Sequence, residues 1–85
     1  MIDILAVFRS RSQAMDCITK MRALKIPAQI INTPREANVG CGLSVKFPQN
    51  AATRAKAFIT RAAYSSFYGY MRIDYKSGKM FIKGF

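Results

Sequence analysis

Ile2-Asp3-Ile4-Leu5-Ala6-Val7-Phe8, followed at once by Arg9-Ser10-Arg11-Ser12-Gln13, is the stretch that decides the fold. In an extended chain alternate side chains face opposite ways. Ile2, Ile4, Ala6 and Phe8 therefore share one face, and Asp3, Leu5, Val7 and Arg9 the other. Leu5 and Val7 make the second face apolar too, which predicts a strand in the middle of a sheet and not at its edge. Ser10 with Gln13 three residues later is a capping-box pattern, so a helix should open directly after the strand. Ala14, Cys17, Ile18, Met21 and Leu24 recur at helical spacing as its buried stripe, with Asp16, Lys20 and Arg22 off it. Lys25 complements the helix dipole in the last turn, and Pro27 stops the helix.

Further along, Ala28 to Thr33 is rich in β-branched residues and predicts a second strand. Pro34 opens a loop that runs to Gly42 and is short enough for an antiparallel return. Leu43, Val45 and Phe47 alternate with Ser44 and Lys46, which predicts a half-solvated third strand ended by Pro48. Asn50, with Thr53 behind it, caps a second helix whose buried stripe is Ala51, Ala55, Phe58, Ile59 and Ala62, leaving Arg54 and Arg61 outside. From about Phe67 the chain alternates again, Phe67, Met71, Ile73 and Tyr75 against Tyr68, Tyr70, Arg72 and Asp74. Ser77-Gly78 signals a hairpin turn, and Met80 to Lys83 returns as an extra C-terminal strand. The order β-α-β-β-α-β predicts an α+β, ferredoxin-like sandwich with two helices on one face of a mainly antiparallel sheet. Residues 1–85 form one domain on this reading, since no repeat or linker divides them.

Composition narrows the chemistry. The 85 residues are 51% hydrophobic, enough for a packed core. Lys and Arg number 14 against 4 Asp and Glu, a formal charge of +10 with no histidine. Without histidine there is no Ser-His-Asp triad, Cys-His dyad or imidazole metal site. One glutamate and three aspartates make paired-carboxylate hydrolysis improbable. No general base or metal set is visible, so neither independent catalysis nor a cofactor is expected. The apolar start, Met1 to Phe8, carries Asp3 and is too short for a signal sequence or membrane span. A cytoplasmic location with reduced thiols is expected, with no membrane partner.

The most unusual stretch is Thr33-Pro34-Arg35-Glu36 followed by Gly40-Cys41-Gly42-Leu43. Glycines on both sides leave the Cys41 sulfur unshielded. They also tolerate positive φ, so backbone N–H groups can turn toward the sulfur and favour its thiolate. Arg35 or Arg9 would favour it further, and Arg11 is another candidate anion contact. Against this stands a plain structural reading, in which Gly-Cys-Gly only shapes a tight approach to the third strand. Cys17 sits on an apolar helix stripe and reads as core. The two cysteines match no Cys-x-x-Cys redox motif and are too few for a disulfide framework or zinc site.

Phe8-Arg9-Ser10, Ile26-Pro27 and the Pro34-Arg35-Glu36…Cys41-Gly42-Leu43 run resemble a small bacterial family described as selenium/sulfur carrier-like proteins. The resemblance covers about residues 5–47. It implies a carrier whose Cys41 holds a persulfide or selenopersulfide, and donor and acceptor proteins that load and unload it. Arg35 would then pair with the developing anion, Glu36 would fix the loop, and Gly40 and Gly42 would act through their backbone. The +10 charge and the aromatic tail from Tyr64 lie outside the resemblance, and the Cys-Pro-x-Pro motif of other sulfur-relay carriers is absent.

Two other classes compete. In the first, Arg9, Arg11, Arg54, Arg61, Arg72, Lys76, Lys79 and Lys83 around Tyr64, Tyr68 and Tyr70 form a basic, non-catalytic module for nucleic acid or an acidic protein. The ribonucleoprotein aromatic motifs are missing, which weighs against nucleic acid. In the second, the Tyr68–Tyr75 segment pairs two copies as a homodimer. An acylphosphatase-like catalyst is set aside because Phe8-Arg9-Ser10-Arg11-Ser12 lacks phosphate-cradling glycines.

Overall fold

The computed structural model describes residues 2–34 and 42–74, together with the backbone of Lys83–Gly84. β1 (Ile2–Phe8) is followed by α1 (Arg11–Ala23), β2 (Gln29–Asn32) and β3 (Leu43–Pro48). A short 3-10 turn (Gln49–Ala51) leads into α2 (Ala52–Ala62), then β4 (Phe67–Asp74) and the two-residue β5 (Lys83–Gly84). The sheet order is β2-β3-β1-β4-β5, with every neighbouring pair antiparallel. This is the ferredoxin-like arrangement with one strand added beside β4. β1 lies centrally, as its two apolar faces predict.

Register divides the core into two layers. Ile4, Ala6 and Phe8 of β1 stand opposite Phe47, Val45 and Leu43 of β3. These six pack with Ala14, Cys17, Ile18 and Met21 of α1 and with Ala55 and Ile59 of α2. On the other sheet face Leu5, Val7 and Ile73 form a smaller buried cluster with Ile31 and Met71. Full burial of each such aliphatic side chain contributes about 1.5–3 kcal/mol, so β1 anchors both layers.

The structure corrects several expectations. Ser44 is buried and not solvated. It stands opposite Val7 on the small-cluster face, where its hydroxyl meets the Thr33 hydroxyl at 2.8 Å. That pairing satisfies both groups without water. Phe67 does not share a face with Met71 and Ile73. The β1–β4 register slips between Val7 and Phe8, so that Val7 faces Gly69 while Phe8 faces Phe67. Tyr68 is the extra residue of this bulge, and Gly69 takes the φ of +154° that the bend requires. Phe67 and Tyr70 consequently both pack on the helix-side core.

The helix ends also differ from the sequence reading. Ser10 Oγ accepts from Gln13 N at 3.2 Å, but the Gln13 side chain does not return to Ser10. It holds the turn before β4 instead: Nε2 donates to Ser65 Oγ at 2.9 Å, and Oε1 accepts from Ser66 N at 2.9 Å and Ser66 Oγ at 2.6 Å. α1 stops three residues before Ile26, and a hydrogen-bonded reversal ends it, not Pro27. Lys25 N donates to Arg22 O at 3.0 Å and Ile26 N to Met21 O at 2.9 Å, with Lys25 left-handed at φ 61°. Leu24, expected in the core, is the C-cap and is 50% exposed. Asn50 caps nothing: it lies in the 3-10 turn, and α2 starts after Ala51 without a side-chain cap. Ala62 is exposed at the end of α2, and Phe58 is only half-buried. The Ser77-Gly78 turn and Met80 to Ile82 lie outside the described residues.

Candidate functional site

Three chain segments meet where β1 ends, α1 begins and β3 starts. Gly42 is the described residue that leads into this junction from the Gly-Cys-Gly run. It is buried, and its carbonyl accepts from Thr33 N at 3.1 Å, closing the base of the β2–β3 connection. A Cβ at Gly42 would stand 2.6 Å from the Phe8 carbonyl oxygen. Close approach to β1 therefore requires glycine here. A left-handed backbone, the reason expected from sequence, does not apply, since Gly69 is the positive-φ glycine among the described residues. Arg35, Glu36, Gly40 and Cys41 lie outside the described residues.

Arg9 follows the last residue of β1, and Arg11 opens α1. Arg9 N donates to Ser66 O at 3.0 Å, tying the end of β1 to the turn before β4. Its exposed guanidinium lies over the Tyr68 ring, 4.9 Å from the centroid. Such a contact is worth about 0.5–1 kcal/mol at an exposed site and fixes the cation's direction. Arg11 is exposed in the first residue of α1.

Cys17 is excluded from thiol chemistry by its surroundings. It is fully buried, and its Sγ lies 3.6 Å from Met21 Sδ. Burial, with a smaller contribution from the Asp16 carboxylate, pushes its thiol up to about 12. Burial thus disfavours the thiolate, which is the nucleophilic form.

The tyrosines proposed as a stacking platform are separated. Tyr64 turns inward: its hydroxyl donates to Asp16 Oδ2 at 2.7 Å, and its ring meets Phe8 edge-on at 5.4 Å. Burial and the bond to Asp16 hold the Tyr64 phenol well above its ordinary range. Tyr70 packs on Phe67 at 4.8 Å, with Lys56 Nζ 4.9 Å from its ring centroid, and its buried hydroxyl has no partner among the described residues. Tyr68 alone of the three is exposed. Two of the three rings thus serve the core and not a binding face.

Sequence reasoning missed an open groove of about 490 Å³ at the opposite end of β1, lined by Asp3, Pro27, Ala28, Gln29, Lys46, Phe47 and Pro48. Its walls come from three separated segments, and no local motif joins them. Among the described residues no group of His, Cys, Asp or Glu could hold a metal, and no helix is long and apolar enough to cross a membrane.

A family model described as "Putative Se/S carrier protein-like" matches residues 3–68. The match runs past residues 5–47, the stretch that carries the resemblance. It takes in α2 and the first two residues of β4, with Tyr64 and Tyr68 inside it. No curated protein and no solved structure matches the chain.

Proposed function

The chain belongs to the family described as Putative Se/S carrier protein-like, and from that premise we propose that it carries sulfur or selenium on Cys41. The observation that supports this reading most is the state of the other thiol. Of the two cysteines, Cys17 is fully buried with its thiol pushed up to about 12, so it is no acceptor at neutral pH. Cys41 follows the Pro-Arg-Glu run and precedes Gly42, whose close approach to Phe8 ties the chain to the β1–α1 junction beside Arg9.

The transfer is redox-neutral. The Cys41 thiolate attacks the outer sulfur of a donor persulfide. A new S–S bond forms on Cys41, the donor's S–S bond breaks, and the donor thiolate leaves with the electron pair. An acceptor thiolate later attacks the same outer sulfur and releases Cys41 as thiolate. Selenium would move by the same displacement. Arg35, with Arg9 and Arg11, would lower the cost of negative charge on the sulfur, while Glu36 would fix the loop and Gly40 would act through its backbone. The setting is the cytoplasm, where thiols stay reduced.

Labelling with a thiol-specific electrophile at neutral pH tests the assignment. Native protein and Cys17→Ser should label at similar rates, and Cys41→Ser should label only after unfolding. Equal labelling of both thiols in the native fold would overturn it.

A further inference from the structure

We propose that the C-terminal end of α1, together with Arg54 of α2, is a docking surface for an acidic protein partner that sets an aliphatic side chain among carboxylates. The proposal does not depend on the carrier reading, because it rests on a different part of the molecule.

Leu24 is the centre of the surface. It is an aliphatic C-cap left 50% exposed, in a helix whose other stripe residues are buried. Cations gather at this end of α1. Arg22 and Lys25 flank it in the chain, and both are exposed. Lys20 lies one turn back on α1 and is paired with Asp16 at 3.1 Å. Arg54 arrives from α2, where its Nη2 donates to the Leu24 carbonyl at 2.9 Å and so plants a fourth cation on the same spot.

Helix-dipole complementarity alone accounts for cations near a helix C-terminus. It does not account for Lys25. That residue occupies the left-handed position after the cap, φ 61°, where glycine is favoured because a Cβ is strained there. A lysine held in this conformation keeps a long cationic side chain where the backbone prefers none.

Among the described residues, Asp16 pairs with Lys20, and no ion pair reaches Arg22, Lys25 or Arg54. Between Asp16 and Asp74 the chain contains one acidic residue, Glu36, which lies outside the described residues. Asp16 itself is engaged by the Tyr64 hydroxyl and Lys20. The field over this end of α1 is therefore positive and steers acidic partners toward it.

Protein fits the surface better than nucleic acid. The large apolar side chains exposed on α1 are Met15 and Leu24, both aliphatic, and the exposed Tyr68 belongs to β4. Base recognition by single strands relies on aromatic stacking, which is missing here. An exposed aliphatic side chain at a cationic helix end is instead complementary to an amphipathic acidic segment.

Fluorescence anisotropy at about 150 mM salt with two probes provides the test. One probe is a helical peptide of roughly twenty residues with glutamates around a leucine stripe, and the other is a single-stranded RNA of equal charge. The peptide should bind more tightly than the RNA. Leu24→Ser and Lys25→Gly should each weaken peptide binding by about threefold or more, and Arg22→Gln/Lys25→Gly/Arg54→Gln by at least about tenfold. Lys25→Gly should melt no lower than the parent, which separates lost docking from lost folding. RNA binding as tight as the peptide, no peptide binding below about 1 mM, or peptide affinity unchanged by the triple substitution would each overturn the proposal.

Discussion

Gly42→Ala tests the reasoning that places the chain at Gly42 against β1. The added methyl would stand 2.6 Å from the Phe8 carbonyl oxygen. An ordinary contact of this kind needs about 3.4 Å or more, so something must move by nearly 1 Å. The obstacle is backbone, not the tip of a flexible side chain. Phe8 is paired on both sides, with Leu43 and with Phe67, and its own side chain is fully buried. Gly42 is held in turn through its carbonyl by Thr33 N. Overpacking a site of this kind costs about 1–3 kcal/mol, and stretching the Thr33 bond adds about 0.5–1.5 kcal/mol. Reduced entropy of the unfolded chain returns about 0.4–1 kcal/mol. The net destabilisation is about 2 kcal/mol, which in a domain of this size lowers the melting temperature by roughly 8–16 °C. Thermal unfolding followed by circular dichroism reads this directly. A Gly42→Ala protein that melts within about 2 °C of the parent would refute the close-approach argument.

Ala63 caps α2 at φ 52°, and Ala63→Gly should stabilise the protein by about 0.5–1 kcal/mol in urea titration because a left-handed Cβ is removed. Ser44→Ala should cost about 1–2 kcal/mol by leaving the Thr33 hydroxyl without its 2.8 Å partner. A double-mutant cycle with Thr33→Val should return a coupling of about 0.5–1.5 kcal/mol, and additive effects would mean the pair is not formed. Alkaline pH should destabilise the fold in a defined order. The Cys17 thiol is raised from 9.0 to about 12, mainly by burial. Between those values the unfolded chain has released a proton that the folded chain still holds, so stability is intact below about pH 9 and falls as pH rises toward 12. Tyr70, raised from 10.0 to about 12 by burial, adds to the loss from about pH 10. Urea midpoints at pH 7 and pH 10.5 check the sign, and Cys17→Ala should show a smaller drop between them.

Alternation and helical spacing made most of the fold legible, because both report which side chains must share a buried face. β1 was readable as central from Leu5 and Val7 alone, and Cys17 as core from its place in the α1 stripe. The misreadings have physical causes that lie outside local pattern. Gln13 was free to bond either Ser10 or the Ser65–Ser66 turn, and only the folded chain brings those serines near. Ser44 looks solvated by alternation, but its burial depends on Val7 opposite and Thr33 beside it. The bulge at Tyr68 reversed the faces of β4, and one inserted residue is invisible to a count of apolar positions. At Gly42 the structure shows a steric constraint, where the sequence suggested a positive φ. Its constraint comes from Phe8, a residue 34 positions earlier in the chain. The groove beside Asp3 and Pro48 and the approach of Arg54 to the Leu24 carbonyl had no sequence signature, since each joins separate segments.

The chalcogen-carrier account meets its most direct test in mass spectrometry of protein isolated without reductant. Trypsin places the two cysteines on separate peptides, one running from Ser12 to Lys20 and the other from Glu36 to Lys46. The account predicts the added mass of one sulfur or one selenium atom on the Cys41 peptide, removed by a thiol reductant and absent from Cys41→Ser. An unmodified Cys41 peptide after incubation with a persulfide donor, or an adduct carried on Cys17, would contradict it.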